Sequence, residues 1–372
     1  MKKTLLITNF FSPAIGGIEN YYDNFCRLSG PDKIVVLTPE HGQAPDFDAS
    51  QKYKIIRTNF FDGRISPRWR PLQKKINKII KEQGIEQIIF GHFHPYCLLG
   101  RKFNLPVYIF GHGTDVRKIK ESWWQIRALK KIYRHRNFKK FIANSRFIAD
   151  EIEEIVGDKT KIEVVYPGID YDALNRPVED LAGKKKLLGL DDNDIVLLSV
   201  GRVEPSKNYE TIIRLMPEMI NQISQLKYVI AGDGSDLDRL KSLVQNYGLR
   251  YKVIFTGTVA NNSSAKAFYY QLAHLFATVS SQPEGFGISY LEAQATKNAV
   301  IASKFGGSAE AVKDGETGIL VDPSQPEEIK MAILKLASDK ELWERMSSAG
   351  QLRAQEFDWS KQMDKLNKIF EQ

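Results

Sequence analysis

Apolar and polar positions along the chain follow two alternating rhythms. Short runs rich in β-branched residues recur at TLLITNF (4–10), KIVVLTP (33–39), QIIFGH (87–92), PVYIFGH (106–112) and KFIANS (140–145). Between them lie stretches with a helical repeat, such as IENYYDNFCRLS (18–29). In LQKKINKIIKEQ (72–83), Leu72, Ile76, Ile79 and Ile80 fall on one helical face. Strands that are apolar on both sides, alternating with amphipathic helices, predict a parallel sheet covered on both faces.

The rhythm breaks at YPGIDYDALNRP (166–177) and through the polar stretch to Asp194, where proline, glycine and charge predict a linker. It then resumes. Strands are expected at DIVLLSVGR (194–202), LKYVIAGDG (226–234), KVIFTGTV (252–259), AHLFATVS (273–280) and NAVIASKFGG (298–307). Helices are expected at YETIIRLMPEMIN (209–221) and LDRLKSLVQNYG (237–248), and through roughly the last fifty residues. The expected fold class is α/β, with two Rossmann-like domains facing a central cleft. The first spans 1–170 and the second 171–355, and a helix at 356–372 returns to the first. Ligands in such sheets bind beyond the carboxyl ends of the strands, and clefts between domains are favoured sites.

Composition agrees with a chain of this kind: 372 residues, 42% hydrophobic and 26% charged, enough for two ordinary cores. MKKTLLITNFF opens like a secretory leader, but its apolar run stops at Asn9 and no small-residue cleavage site follows. It reads as a first strand. No run approaches the ~20 apolar residues of a membrane span. Cys26 and Cys97 lack metal-ligand spacing and read as reduced core residues of a cytoplasmic protein.

Charge adds a partner. Residues 1–170 hold 29 Lys and Arg against 18 Asp and Glu, whereas 171–372 hold 24 against 27. An anionic partner meeting the first half is expected. Residues 63–81 carry Arg64, Arg68, Arg70, Lys74, Lys75, Lys78 and Lys81 with no acid. Residues 117–140 carry ten cations, one acid (Glu121), and Trp123 and Trp124. Basic helices with tryptophans suit an anionic membrane surface, and the competing reading is two solvated faces. The expected location is therefore peripheral, at the inner face of the cytoplasmic membrane. Nucleic acid would suit the basic half but would not need the acidic pair described next, so no nucleic-acid partner is expected.

That pair lies in PEGFGISYLEAQ (283–294), where Glu284 and Glu292 stand eight apart around Gly285-Phe286-Gly287. Glycines let a backbone approach a ligand closely, and a helix N-terminus suits phosphate or sugar oxygens. Glu284 is placed to accept from hydroxyls, and Glu292, on the helix, to grip a ribose diol. The alternative is a helix cap plus a surface glutamate. In GRVEPSKN (201–208), Arg202 and Lys207 leave a strand for a helix start, where cations are unfavourable unless an anion joins them. A diphosphate would take Arg202 as a fork and Lys207 as a point charge.

Gly16 and Gly17 in SPAIGGIEN read either as a phosphate-binding turn or as a tight strand-to-helix turn. His112 in FGHGTD ends a strand between glycines and reads as a ligand-facing or a structural histidine. His92 and His94 lack a neighbouring carboxylate or cysteine, so no metal site is expected there. Asp170-Tyr171-Asp172 reads as a cap and turn.

In this order, GG after the first strand, GHGTD, NSRFIADEI, VVYPGID, VGRVEPSKN, AGDGS and PEGFGISYLEAQA resemble glycosyltransferase family 4, retaining enzymes with the GT-B fold. The resemblance spans nearly the whole chain, and its most specific part is the E-x7-E signature at Glu284 and Glu292. SPAIGGIENYY and FGISYLEAQA are most similar to bacterial phosphatidylinositol mannosyltransferases. The resemblance implies that Arg202 and Lys207 bind the donor diphosphate. Glu284 with Gly285, Phe286, Gly287 and Ile288 would hold the donor sugar, Glu292 the ribose, and the backbone of Thr258 and Val259 would face the base. Gly16 and Gly17 would meet the diphosphate, and His112 the sugar near the reacting carbon; His112, Glu284, Arg202 and Lys207 are the expected catalytic set. It implies no cofactor and no metal, only a nucleotide-sugar donor, with GDP-mannose favoured and a UDP-sugar retained because no acid follows Val259. The acceptor would be lipid-linked or a glycan. A phosphorylase or epimerase sharing the fold and a UDP-sugar transferase with a soluble acceptor are the competing readings.

Overall fold

The structure is a computed structural model. It describes residues 1–59, 69–93, 95–260 and 262–371. Arg64, Arg68, His94 and Asn261 lie outside the described residues. The chain divides into two units, Met1–Pro167 with Ser360–Gln372, and Gly168–Trp359.

The first unit holds seven strands: β1 (Thr4–Ile7), β2 (Ile34–Thr38), β3 (Lys54–Arg57), β4 (Gln87–Phe90), β5 (Val107–Gly111), β6 (Phe138–Ala143) and β7 (Ile162–Val164). They form one parallel sheet in the order β3-β2-β1-β4-β5-β6-β7. Thr4 of β1 sits opposite Ile34 on one side and Gln87 on the other. The chain therefore reverses its direction of winding between β1 and β4, which is the switch point where such sheets bind ligands. Leu5, Ile7, Ile88, Phe90 and Ile109 are buried, and the helix Trp69–Gln83 closes over them with Leu72, Ile76 and Ile79. The helix Trp359–Phe370 brings Phe370 edge-on to Tyr108, with ring centroids 4.9 Å apart.

The second unit repeats the plan with β8 (Ile195–Val200), β9 (Leu226–Ala231), β10 (Val253–Gly257), β11 (Leu275–Thr278), β12 (Ala299–Ser303) and β13 (Gly318–Val321). Their order is β10-β9-β8-β11-β12-β13, all parallel, with the switch point between β8 and β11. Each unit is thus a Rossmann-like sheet, as the alternating pattern predicts.

Three strands are absent from the sequence reading: β3, β7 and β13. All three lie at sheet edges. An edge strand has one neighbour and is partly exposed, so four residues such as Lys54–Arg57 carry only Ile55 and Ile56 as an apolar signal. The stretch expected as a linker also contains two helices, Tyr171–Asn175 and Leu181–Leu187. The second buries none of its residues, so it has no apolar face to read. Asp170 caps the first, accepting a hydrogen bond from the Ala173 amide at 3.1 Å.

Candidate active site

At the switch point of the second unit, β8 runs into Gly201, Arg202 and the short turn Pro205–Lys207, and β11 runs into the segment that holds Glu284. Two backbone bonds fix this segment. The Ser281 amide donates to the Ser206 carbonyl at 2.9 Å, and the Gly307 amide donates to the Glu284 carbonyl at 2.9 Å. The approach is so close that a Cβ on Gly307 would stand 2.1 Å from the Gly285 carbonyl oxygen. Gly287 has a φ of 90°, a left-handed conformation, and begins the helix Ile288–Ala295. The glycines of the motif thus set the path by which Glu284 leads into the helix.

Lys207 Nζ lies 2.6 Å from Glu284 Oε1, with side chains 22% and 18% exposed. The Ser280 hydroxyl donates to the same carboxylate oxygen. Burial alone would raise the Glu284 pKa. The Lys207 charge, the bonds from Lys207 and Ser280, and the Arg202 charge together outweigh it and hold the carboxyl below its ordinary value of 4.5. Glu284 is an ionised acceptor, set beside a cation in a partly dehydrated place. Arg202 is 65% exposed, and its Nη1 pairs with Glu204 Oε1 at 2.9 Å. The two cations expected on one diphosphate therefore stand on different carboxylates in this structure.

Glu292 lies on the helix at 3% exposure, with both carboxylate oxygens engaged. Lys266 Nζ is 2.9 Å from Oε1, and the Tyr270 hydroxyl donates to Oε2 at 2.7 Å. Phe286 turns inward, 2% exposed, with its ring 5.8 Å from Phe357. Ile288 is half-buried, as are Gly285 and Gly287. Beyond β10, Thr258 is exposed and its hydroxyl donates to Asp233 Oδ2 at 3.1 Å, while Val259 is half-buried.

His112, Gly16 and Gly17 belong to the first unit. His112 follows β5, and its loop is fixed by Asp115, whose carboxylate accepts from the amides of Phe93 (2.9 Å), His112 (3.0 Å) and Gly113 (2.8 Å). The Tyr22 hydroxyl donates to the Gly91 carbonyl. Nε2 of His112 is 2.7 Å from that hydroxyl and 3.1 Å from that carbonyl. With the Tyr22 proton committed to Gly91, Nε2 carries the ring hydrogen, and Nδ1 is the acceptor nitrogen of the neutral ring. Burial lowers the His112 pKa below 6.5, against the Asp115 charge and the Gly91 carbonyl, so the ring is neutral near pH 7. Glu19 folds back over Gly16, where a Cβ would stand 2.1 Å from its Oε2. This is the reach of a third-position acid toward the start of its helix, Gly17–Ser29. Around Gly17 a Cβ would meet nothing within 4 Å.

His92 is 2% exposed and bonded to the Tyr96 hydroxyl at 2.8 Å. Among the described residues no group of three His, Cys, Asp or Glu is placed to hold a metal ion. The residues that sequence reasoning missed are Ser280, Lys266, Tyr270, Tyr22 and Asp115. Ser280 stands only four residues before Glu284, and Asp115 closes the quoted GHGTD. Lys266, Tyr270 and Tyr22 come from other helices, and no local spacing announces them.

The family model "Glycosyltransferase Family 4" matches residues 15–173, and "Glycosyl transferases group 1" matches residues 183–353. The chain is 28% identical to a GDP-mannose-dependent alpha-(1-6)-phosphatidylinositol monomannoside mannosyltransferase of Mycolicibacterium smegmatis, over 93% of this chain and 92% of that protein. It is 26% identical to a GDP-mannose-dependent monoacylated alpha-(1-6)-phosphatidylinositol monomannoside mannosyltransferase of Corynebacterium glutamicum, over 100% and 98%. Among solved structures, Anabaena HepE in complex with UDP superposes with a TM-score of 0.85 at 21% identity, over 99% of both chains.

Proposed function

From the premise that the chain belongs to the family 4 glycosyltransferases, GT-B enzymes that use a nucleotide-sugar donor, we propose that it is a retaining mannosyltransferase. In this reading it moves mannose from GDP-mannose to a lipid-linked acceptor. The observation that carries the reading is the Lys207–Glu284 pair at the β8/β11 switch point, where an ionised acceptor and a cation are held together at the head of a helix. The choice of mannose and of a lipid acceptor is supported by the two GDP-mannose-dependent relatives. The exposed carboxylate of Asp233, bonded to Thr258, would supply the acid that guanine's N–H edge calls for and that the segment after Val259 lacks.

In the proposed reaction Lys207 and Arg202 turn to the donor diphosphate, and Glu284 accepts from the mannose hydroxyls. The amides of Gly285, Phe286, Gly287 and Ile288 hold the same sugar, and Glu292 holds the ribose. The backbone of Thr258 and Val259 meets the base. The acceptor oxygen attacks the anomeric carbon on the face that the phosphate leaves, through an oxocarbenium-like state. The bond from the anomeric carbon to the phosphate oxygen breaks, and that oxygen takes the acceptor's proton. Lys207 and Arg202 stabilise the developing diphosphate charge, so the reaction proceeds without a metal ion.

A panel of GDP- and UDP-sugars, scored by thermal shift, tests the donor. At ~100 times its dissociation constant, GDP-mannose should add about 2.7 kcal/mol of stability. Stabilisation by a UDP-sugar and none by GDP-mannose would overturn the choice of nucleotide.

A further inference from the structure

Glu292 is the least exposed carboxylate of the site, and a carboxylate has room for about four hydrogen bonds. Lys266 and Tyr270 take one on each oxygen, at 2.9 Å and 2.7 Å. They stand one turn apart on the helix Ser263–Leu272 and so share a face. The start of that helix is fixed by Asn262, which accepts from the Ala265 amide at 2.8 Å. Its end is fixed by Asn298, whose side chain donates to the Tyr270 carbonyl at 2.8 Å. Two acceptor positions remain on Glu292, the number a vicinal diol requires.

We propose that Lys266 and Tyr270 are positioning residues for the donor, holding the Glu292 carboxylate oriented so that its remaining lone pairs meet the ribose hydroxyls. The inference rests on the ribose role assigned to Glu292 above. Lys266 supplies the neighbouring charge that a buried carboxylate needs. Tyr270 fixes the rotation of the carboxylate about its last bond. Burial, and then the Glu292 charge, push the Tyr270 pKa far above 10, so its hydroxyl stays a donor throughout the working pH range.

The test compares GDP with 2′-deoxy-GDP, and UDP with 2′-deoxy-UDP, by calorimetric titration of the intact chain and of Lys266→Met and Tyr270→Phe. The intact chain is expected to favour the ribonucleotide by about 10-fold or more, the worth of a hydrogen bond to a charged group. In both variants the preference should shrink to about twofold or less, with the ribonucleotide losing more affinity than the 2′-deoxynucleotide, which has only its 3′-hydroxyl bond to lose. Lys266→Arg should restore part of the preference. A loss of fold would instead lower affinity for both nucleotides by the same factor and leave the preference unchanged. Tyr270→Phe keeps the ring and its packing, so it carries the test if Lys266→Met does not fold. An intact chain that binds both sugars equally overturns the ribose role of Glu292 and this inference with it. An intact chain that discriminates, with variants that discriminate equally, overturns the inference alone.

Discussion

Removing the Lys207 ammonium would leave the Glu284 carboxylate with Ser280 and the more distant Arg202 to offset its burial. Lys207→Ala should cost roughly 1.5–3 kcal/mol of stability at pH 7, and a similar amount in transfer, about 10- to 100-fold in kcat/KM. Arg202→Ala should also cut transfer while the fold persists, with little change in stability, because its Glu204 pair is exposed. Near-native turnover in both variants would remove the diphosphate assignment. The pH dependence has a definite sign. The folded Glu284 pKa lies below 4.5, so its contribution to stability is complete above 4.5 and is lost as pH falls through the lower folded value. The gap in melting temperature between the intact chain and Lys207→Ala should therefore be widest near neutrality and close on acidification. His112 gives a second titration. Its depressed pKa means that stability is lost as pH falls below 6.5, and an NMR titration of the ring should show its inflection below that value. The motif that carries Glu284 and Glu292 is legible in the sequence as spacing. The partners of Glu292 are not, because Lys266 and Tyr270 stand 26 and 22 residues before it on another helix.

Sheet strands differ in how firmly they are held, and the difference follows burial. Every residue of β1, β4 and β11 is buried, whereas β3 and β7 have none buried. Amide exchange should be slowest in the central strands and markedly faster in β3 and β7. Uniform protection across each sheet would contradict this. The same gradient explains what the hydrophobic pattern conveys. Central strands are apolar on both faces and stand out as runs, such as TLLI and QIIF. Edge strands such as IEV carry too few apolar positions to separate from loop. Helices read well where one face is buried, as with Leu72, Ile76 and Ile79, and poorly where none is, as with Leu181–Leu187.

Taken as a whole, the chain places a basic excess in its first unit, with no helix among the described residues long and apolar enough to cross a membrane. The helix Trp69–Gln83 exposes Lys74 and Lys78 opposite its buried face, and Trp123 is 75% exposed. Part of the second basic stretch is already paired, Arg117 and Lys120 with Glu151, Lys120 also with Glu154, and Lys140 with Glu163. Each remaining cation near an anionic surface is worth about 1 kcal/mol. We expect sedimentation with anionic vesicles at low salt, little with neutral ones, and loss of binding on charge reversal at Lys74, Lys75 and Lys78 without a change in donor affinity. Equal or absent binding to both vesicles would favour a soluble acceptor over a site at the inner face of the membrane. What the site is proposed to do is the transfer itself. Its most direct measurement is the NMR anomeric configuration of the product formed from GDP-mannose and a phosphatidylinositol mannoside in excess EDTA. The expected product is an α-mannoside, with the donor's configuration kept and one GDP released per transfer. A β-linked product, or turnover that stops with chelator and returns with Mg²⁺ or Mn²⁺, would contradict it.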